Sequence, residues 1–587
     1  MTKSKISTQI PMLLCLILVV AGPFAFDTYM VNTLIKAFFF AVAAITVDLL
    51  WGYTGYLTFG QSAFFGAGAY CAGLVFTHLG FSSEYALLAG VLSVVIPGLL
   101  ALFVGWLSFY HGAAPFFSCV ISLVVPIVVY QLVLSGGNFT GSSSGLTGFE
   151  TFDFEIESWY WIAGAIMLVA AIAADIFVKS DAGKILVAIR DNEQRCEYLG
   201  LNTYVIKTLL LGVCGALAGF AGFSYGAFSG VVAPELTGFS FGTEMIIWVA
   251  LSGRGTLWGP VIGTVLITVI SSYLSNSIPF VWQLILGIGF VSVIVFLPKG
   301  LLPYVIRPLS RKSSLDAPIK LEEAKIQDSS VSGHAIVMDH VTKSYGSLDV
   351  LKNITLTGDP GDLIGIIGPN GAGKTTLMRC MGDGEHRTGG SVEICGRDLG
   401  KKHPEEVVRL GLGRKFQNAN IFQTLSVSEC LRIARTIRER PSLVRTSKVL
   451  ALPAYVLDVM KVTGIDKKLG TAAKDLSHGE QQALELSMVL ALEPKVVLLD
   501  EPTAGLTLSE RRSIGAIFSA LAHKYRFCCL LVEHDLEFVK EIATKIVVLY
   551  HGTILMQGDV DEVVNSKLVQ DIYTGTKSSA RNSEAEK

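Results

Sequence analysis

Nine long apolar stretches crowd the first half of this chain, near residues 10–28, 33–51, 58–77, 84–109, 112–134, 158–176, 202–230, 243–272 and 279–297. Each is long enough, or nearly so, to cross a bilayer, where only a backbone that satisfies its own hydrogen bonds is stable. Charge is sparse from Phe24 to Glu150 and from Leu201 to Pro298, then frequent from Arg307 onward. The mean hydropathy of +0.53 therefore averages two unlike halves. Lys3 and Lys5 precede the first apolar run without a small-residue cleavage site, so a retained first membrane helix is expected rather than a cleaved leader.

The second half carries Gly368-Pro369-Asn370-Gly371-Ala372-Gly373-Lys374-Thr375 behind a buried-strand pattern, Gly361–Ile367, and ahead of Thr376–Arg379, which can open a helix. Strand, glycine loop and helix make this a phosphate-binding loop. Its amides face the phosphates, Lys374 supplies positive charge and Thr375 offers a hydroxyl to Mg2+. Alternation at Ala335–His340 and Asp349–Leu356 predicts two strands, with Tyr345 between them as an aromatic able to stack on a base. Gln417, after Gly411–Phe416, has an amide that can reach metal and attacking water. Ser477 and Gly479, with Glu480, open a helix whose amides again suit phosphate. The apolar strand Val496–Leu499 ends in Asp500, a metal carboxylate, and Glu501, a candidate base for an attacking water. A further strand, Cys528–Val532, ends at His534, placed to sense a terminal phosphate.

A phosphate site of this kind works in the cytoplasm. Lys179, Lys184, Arg190, Arg195 and Lys207 put the 178–207 loop there too, by the excess of basic residues. An even number of crossings must then follow residue 200. The literal count of crossings is nine; a break in 243–272 at Gly253–Pro260 makes it ten. Ala188–Gly200 mixes apolar and charged residues and ends at glycine, predicting a short helix with a C-cap, a lever between membrane and phosphate site in which Arg190, Glu193 and Gly200 matter most. Two clusters, Gly60/Gly66/Gly68/Ala69 and Gly212/Gly215/Gly219/Gly222/Gly226, mark close helix packing. Asp48, with Tyr53 and Gln61 after it, is an acid within an apolar run, either a packing pin or part of a solute path. The polar stretch 136–145 reads as an external loop, 308–333 as a linker and 571–587 as a disordered tail.

With these parts in order, residues 335–565 resemble the ATP-binding subunit of ABC transporters. Tyr345 matches its aromatic loop, Gly368–Thr376 (with Asn370, Gly371, Gly373 and Lys374) its Walker A, and Gln417 its Q-loop. Leu476–Glu480 matches the signature, Asp500 the Walker B aspartate, Glu501 the catalytic glutamate and His534 the switch histidine. Gly413–Gln417 and Ala504-Gly505-Leu506 are similar to the branched-chain amino acid and urea group. The sequence departs from the common pattern at His478 and Glu480, and at Thr507, where the common D-loop has Asp; a histidine at this place resembles the urea-type ATPases. Residues 30–300 resemble the permease of the same group through Gly52–Gly55, Gly60–Tyr70, Ala188–Gly200 and Gly253–Gly259, with an ending, Leu286–Gly300, similar to urea-type permeases.

The resemblance implies a fold class and a machine. The fold is an N-terminal polytopic α-helical permease (residues 1–307) of nine or ten crossings, followed by a cytoplasmic α/β P-loop ABC ATPase domain (334–570). The machine is a cytoplasmic-membrane importer that uses ATP and Mg2+. Its ATP site is shared between two domains, so it needs a second permease/ATPase pair or a second copy, and an external solute-binding protein. Urea or short amides are the expected solute, with branched-chain or other hydrophobic amino acids as the alternative. A membrane-tethered regulatory ATPase is the reading of another class; an ABC exporter or lipid flippase would have six crossings and large basic extensions. The net charge of -2 excludes nucleic acid as a bulk electrostatic partner, and ten scattered cysteines without a CxxC pair form neither a disulfide framework nor a metal site.

Overall fold

The computed structural model describes residues 3–110, 115–278, 281–297, 300–301, 319–324, 333–384, 386–503 and 508–574. Thr507, Ala504–Leu506, Pro298 and Lys299 lie outside these, as do most of the expected linker and residues 575–587 of the expected tail. The chain divides into two compact units. The first takes residues 1–190, 203–314 and 443–445, and the second takes 191–202, 315–442 and 446–587.

In the first unit, helix Thr28–Asp48 runs on through one π-helical turn, Leu49–Tyr53, and forms the buried centre. Around it stand Gln61–Leu79, Ser83–Phe109, Pro115–Ser135, Ile156–Lys179, Thr203–Ser229 and Trp258–Ser277. With the central one, these are the seven helices among the described residues that are long and apolar enough to cross a membrane, fewer than the nine or ten expected. Three further apolar helices, Lys3–Ala25, Phe239–Ser252 and Trp282–Phe296, take up the remaining stretches. The 243–272 stretch is broken where expected: Phe239–Ser252 stops at Gly253 (φ 123°), and Trp258–Ser277 begins after a turn. The 14-residue piece is only about 21 Å long, short of a hydrocarbon core of about 30 Å. The first stretch lies in helix Lys3–Ala25, and the last is Trp282–Phe296.

Small residues bring the helices together as expected. Gly68 lies against the backbone of Gly219, and Gly222 against that of Phe65, so a Cβ at either would clash. The polar stretch 136–145 is folded rather than open, as two 3-10 turns followed by Leu146–Thr147 paired with Val231–Val232.

The second unit is built on a six-stranded sheet ordered Thr553–Asp559, Lys545–Tyr550, Leu363–Ile367, Cys528–Val532, Val496–Asp500 and Leu412–Lys415. The last five are parallel neighbours. The apolar runs of the three central strands, Leu363–Ile367, Cys528–Val532 and Val496–Leu499, follow from burial on both faces. A four-stranded antiparallel sheet, including Ile336–Tyr345 and Leu348–Gly358, packs beside it. These two strands are the pair expected before the glycine loop. The expected linker contains one structured piece: Lys320–Glu323 pairs in parallel with Val449–Leu452. Residues 571–574 close a helix, Lys567–Thr574.

Candidate nucleotide-binding site

Four adjacent parallel strands deliver the candidate residues at their carboxyl ends, where an open α/β sheet leaves a crevice for ligands. Leu363–Ile367 leads into the glycine loop, Cys528–Val532 into Glu533 and His534, Val496–Asp500 ends in Asp500, and Leu412–Lys415 precedes Gln417. Gly371 (φ 81°) and Gly373 (φ 103°) hold left-handed conformations that favour glycine, and a Cβ on Gly373 would meet Leu351 Cδ2 at 2.9 Å. Helix Lys374–Gly382 then points its N-terminus at the loop. Lys374 is buried and donates to the carbonyls of Gly368 (2.6 Å) and Pro369 (3.2 Å), curled over the space its loop encloses. Burial pushes its ammonium pKa down, while Glu501 and Asp500 pull it back up. Asn370 and Thr375 are exposed and Thr376 half-buried.

Glu501 is the hub. Its backbone is left-handed (φ 43°), a strained conformation for a glutamate, fixed by its N–H donating to Val532 O at 2.9 Å. One carboxylate oxygen accepts from Gln417 Nε2 at 2.7 Å and the other lies 2.8 Å from His534 Nε2. Three residues predicted from separate motifs therefore meet at one carboxylate. Asp500 is buried at its strand end, and that burial pushes its carboxyl pKa up. Glu533, missed in the sequence, accepts both the amide (3.0 Å) and hydroxyl (2.7 Å) of Thr503, fixing the backbone just past Glu501. Tyr345 is half exposed, bonded through its hydroxyl to His386 Nε2 at 2.7 Å.

Ser477, Gly479 and Glu480 stand apart from that hub, at the start of helix His478–Leu490. Ser477 caps the helix, and Glu480 reaches back to the Ser477 amide (3.0 Å) while pairing with Lys468 (2.5 Å). The unusual Glu480 thus completes a capping box, a role a carboxylate fills as well as the common glutamine. The Lys468 bond holds its carboxyl below the usual range.

The expected lever is two helices, not one. Asp181–Asp191 stops at Asn192, whose side chain caps a second helix, Glu193–Glu197, by accepting from Arg195 N at 2.9 Å. Gly200 (φ 82°) ends the segment, and a Cβ there would meet Ile437 Cδ1 at 2.6 Å. Residues 191–202 belong to the second unit. Asp191 accepts the Thr424 amide (2.8 Å) and hydroxyl (2.7 Å), Asn192 bonds Asn420, and Asn202 bonds Glu405 (3.3 Å). Arg195, fully buried, donates to the carbonyls of Arg414 (3.1 Å) and Glu485 (3.4 Å). Arg190 belongs to the first unit and donates to Gly52 O at 2.8 Å. Glu193 opens the second of these helices; Arg195, Asp191 and Asn192 were not among the expected lever residues. Their signal was in the pattern all the same: Arg195, Lys415 and Glu485 are charges at positions where the neighbouring residues are patterned for burial.

Of the membrane-half candidates, Asp48 is fully buried. Its Oδ1 accepts from Gly255 N (2.6 Å) and its Oδ2 from Leu257 N (3.1 Å), both in the turn that breaks the 243–272 stretch. Leu257 (φ 52°, ψ -55°), spanned by Trp258 N donating to Thr256 O at 2.6 Å, forms the strained, positive-φ kind of γ-turn. These two amide bonds fit the packing-pin reading of Asp48. Gln61 is buried with Oε1 on Thr46 (3.1 Å) and no partner for Nε2; Tyr53 is half-buried in the π-turn.

A helical region of long apolar segments and a sheet that gathers phosphate loop, carboxylates, glutamine and histidine at one edge define a membrane protein joined to a P-loop nucleotidase. A family profile described as "Branched-chain amino acid transport system / permease component" matches residues 29–295, and one described as "ABC transporter" matches residues 351–504. The "High-affinity branched-chain amino acid transport ATP-binding protein LivG" of Salmonella typhimurium is 30% identical over 241 residues, covering 39% of this chain and 94% of that protein. A "Sulfate/thiosulfate import ATP-binding protein CysA" of Neisseria meningitidis serogroup B is 31% identical over 232 residues, covering 39% and 62%. Among solved structures, an ATP-binding cassette of an ABC transporter in its ADP conformation matches with 22% identity and a TM-score of 0.36, covering 42% of this chain and 100% of that one. The chain belongs to the ABC transporters, as a permease region and an ABC ATPase in one polypeptide that hydrolyses ATP to drive transport. Where these matches name the solute of this subgroup, it is branched-chain amino acids and not the urea expected from His478 and Leu286–Gly300.

Proposed function

We propose that this chain imports branched-chain or similarly hydrophobic amino acids across the cytoplasmic membrane, with its second unit in the cytoplasm. The observation that carries the engine is Glu501 held by both Gln417 and His534 beside the phosphate loop. The solute reading is supported by the permease profile and the LivG relatives. Loop amides and Lys374 bind the ATP phosphates, and Tyr345 takes the base. Thr375, Asp500 and Gln417 offer hard oxygen ligands that fit Mg2+, which takes one or two carboxylates plus phosphate oxygens rather than a protein cage. When bound, Mg2+ neutralises charge on the transferred phosphoryl group. Glu501 orients and deprotonates the attacking water, Gln417 sets the approach to the phosphate, and His534 holds the carboxylate aimed.

Ser477, Gly479 and Glu480 lie away from Glu501 within one chain, which favours completion of the site by a second permease/ATPase pair or a second copy. An external solute-binding protein delivers the solute. Arg190, Glu193 and Gly200 belong to the segment that carries the movement. The test is ATPase activity of the chain purified with its partners and binding protein, titrated with leucine and with urea. Stimulation by leucine alone is expected; stimulation by urea alone overturns the solute reading and leaves the engine standing.

A further inference from the structure

The nucleotide site and its docked segment share one buried anion that none of the nucleotide chemistry uses. Glu485 has no exposed surface and sits two turns along the helix that Ser477 opens. Its Oε1 lies 3.4 Å from Arg195 Nη1 and accepts the Phe416 amide at 3.2 Å; its Oε2 lies 3.8 Å from Lys415 Nζ. Arg195 is fully buried and Lys415 nearly so. Lys415 also bonds Gln482, and Gln482 Nε2 donates to the carbonyl of Gln417 at 3.4 Å. Around this node, Tyr198 packs edge-on against Phe416 (5.0 Å) and accepts from Arg414 Nη1 at 3.2 Å. One carboxylate therefore touches three stretches of chain: the segment 191–202, the strand running into Gln417, and the helix that begins at Ser477.

We propose that Glu485, clamped between Arg195 and Lys415, is the positioning residue that makes the docked segment, the Gln417 strand and the Ser477 helix move as one body. This goes beyond the reading of the chain as an ATP-driven importer and rests on it. Charge counting makes the node directional. Lys415 and Glu485 alone are a balanced pair, so the second unit keeps a neutral interior without Arg195. Glu485 is the anion paired with Arg195 among the described residues, so it fixes the register of the middle of the segment, beside the bonds of Asp191, Asn192 and Asn202 at its ends. Buried ion pairs of this kind serve register better than stability, because desolvation consumes most of their attraction. Gln417 meets Glu501 while its own carbonyl is held by Gln482, so a shift of the Ser477 helix reaches the catalytic carboxylate through two bonds. The same shift reaches residues 191–202 through Arg195.

Hydrogen exchange on the full chain, purified with its partners and with MgATP as the probe, tests this without knowledge of the solute. In the parent, MgATP should slow exchange in peptides covering 368–380 and 191–202, each by about tenfold at its most protected amides. Arg195→Met, which leaves Lys415 and Glu485 balanced, should keep the first response and lose the second. Arg195→Lys, which keeps the charge but not the fork, should restore part of it. Glu485→Gln strands two buried cations and should lower the thermal midpoint of the second unit by several degrees; adding Arg195→Met should recover about half of that loss.

A purely structural contact predicts the opposite pattern: both peptides lose their response together, and the double variant is worse than either single. That pattern, or an Arg195→Met protein that responds like the parent, overturns the proposal. A parent whose 191–202 peptides ignore MgATP while 368–380 respond overturns it as well. Silence at 368–380 in the parent instead brings down the nucleotide reading on which the proposal rests.

Discussion

Each unit of this protein contains a fully buried carboxylate, and the two are used in different ways. Asp48 spends both oxygens on backbone amides, those of Gly255 and Leu257. Glu485 faces two cationic side chains and one amide. An acid that accepts only amides fixes a local backbone, here a γ-turn that L-residues seldom adopt and that joins a short helix to a long one. An acid set between cations from different stretches of chain fixes those stretches to one another. The first is a pin and the second a node. A pin is expected to matter for the integrity of its own unit, a node for the transmission of movement.

Six variants break or sharpen this contrast. The largest effect is expected outside both: Lys374→Ala removes the charge curled over the phosphate loop, and Glu501→Gln the base. Each should cut ATP turnover by about a hundredfold or more, measured as phosphate release, while Glu501→Gln still binds ATP and Lys374→Ala binds it weakly. Next comes Glu485→Gln, which leaves Arg195 and Lys415 buried without an anion and should destabilise the second unit by about 3–5 kcal/mol, read from its thermal midpoint. Asp48→Asn keeps the size but leaves one of two amides without an acceptor. A loss of about 1–3 kcal/mol is expected, confined to the first unit; if instead Asp48→Asn leaves the first unit's midpoint unchanged but abolishes uptake, the pin is a solute-path residue after all. The smallest effect belongs to the capping box: Glu480→Ala should cost about 1 kcal/mol and Glu480→Gln almost nothing, by the same melting experiment.

Acid sharpens the site rather than the contrast. Burial raises the Asp500 carboxyl above the ordinary aspartate range, so it takes up its proton earlier as pH falls. The protonated acid no longer holds a metal ion. The Mg2+ concentration for half-maximal ATPase activity should therefore rise on acidification before free aspartate would begin to titrate, which a Mg2+ titration at a series of pH values measures.

The nucleotide site was legible in the sequence because its parts are short, contiguous and tied to strand ends. Gly368–Thr375, Asp500, Glu501 and His534 each follow or end a strand whose apolar run marks it as buried, so their convergence follows from a parallel sheet; Gln417 follows the charged strand Leu412–Lys415, which no apolar run marks. The break at Gly253–Leu257 was legible for a like reason: glycines and Pro260 interrupt an apolar run too long for one helix. What could not be read was partnership. Nothing in Arg195 names Glu485, nearly three hundred residues on, and nothing in Asp48 names the amides of Gly255 and Leu257; such pairs are made by folding and not by local spacing. Asn192 capping a second helix was missed because the apolar periodicity runs through it. Seven described helices are long and apolar enough to span, and three further apolar helices take up the remaining stretches, because hydropathy measures composition and not uninterrupted length. The urea reading rested on one histidine and a helix ending, and the similarity of the whole permease region to branched-chain amino acid permeases favours the alternative solute.

The account stands or falls on coupling between ATP at Glu501 and an amino acid in the membrane half. The direct measurement is leucine uptake and phosphate release recorded together in vesicles holding the chain, its partners and its binding protein. The account predicts that both rise with leucine in fixed proportion and that Glu501→Gln stops both. Leucine uptake that continues in Glu501→Gln, or phosphate release indifferent to leucine, contradicts it.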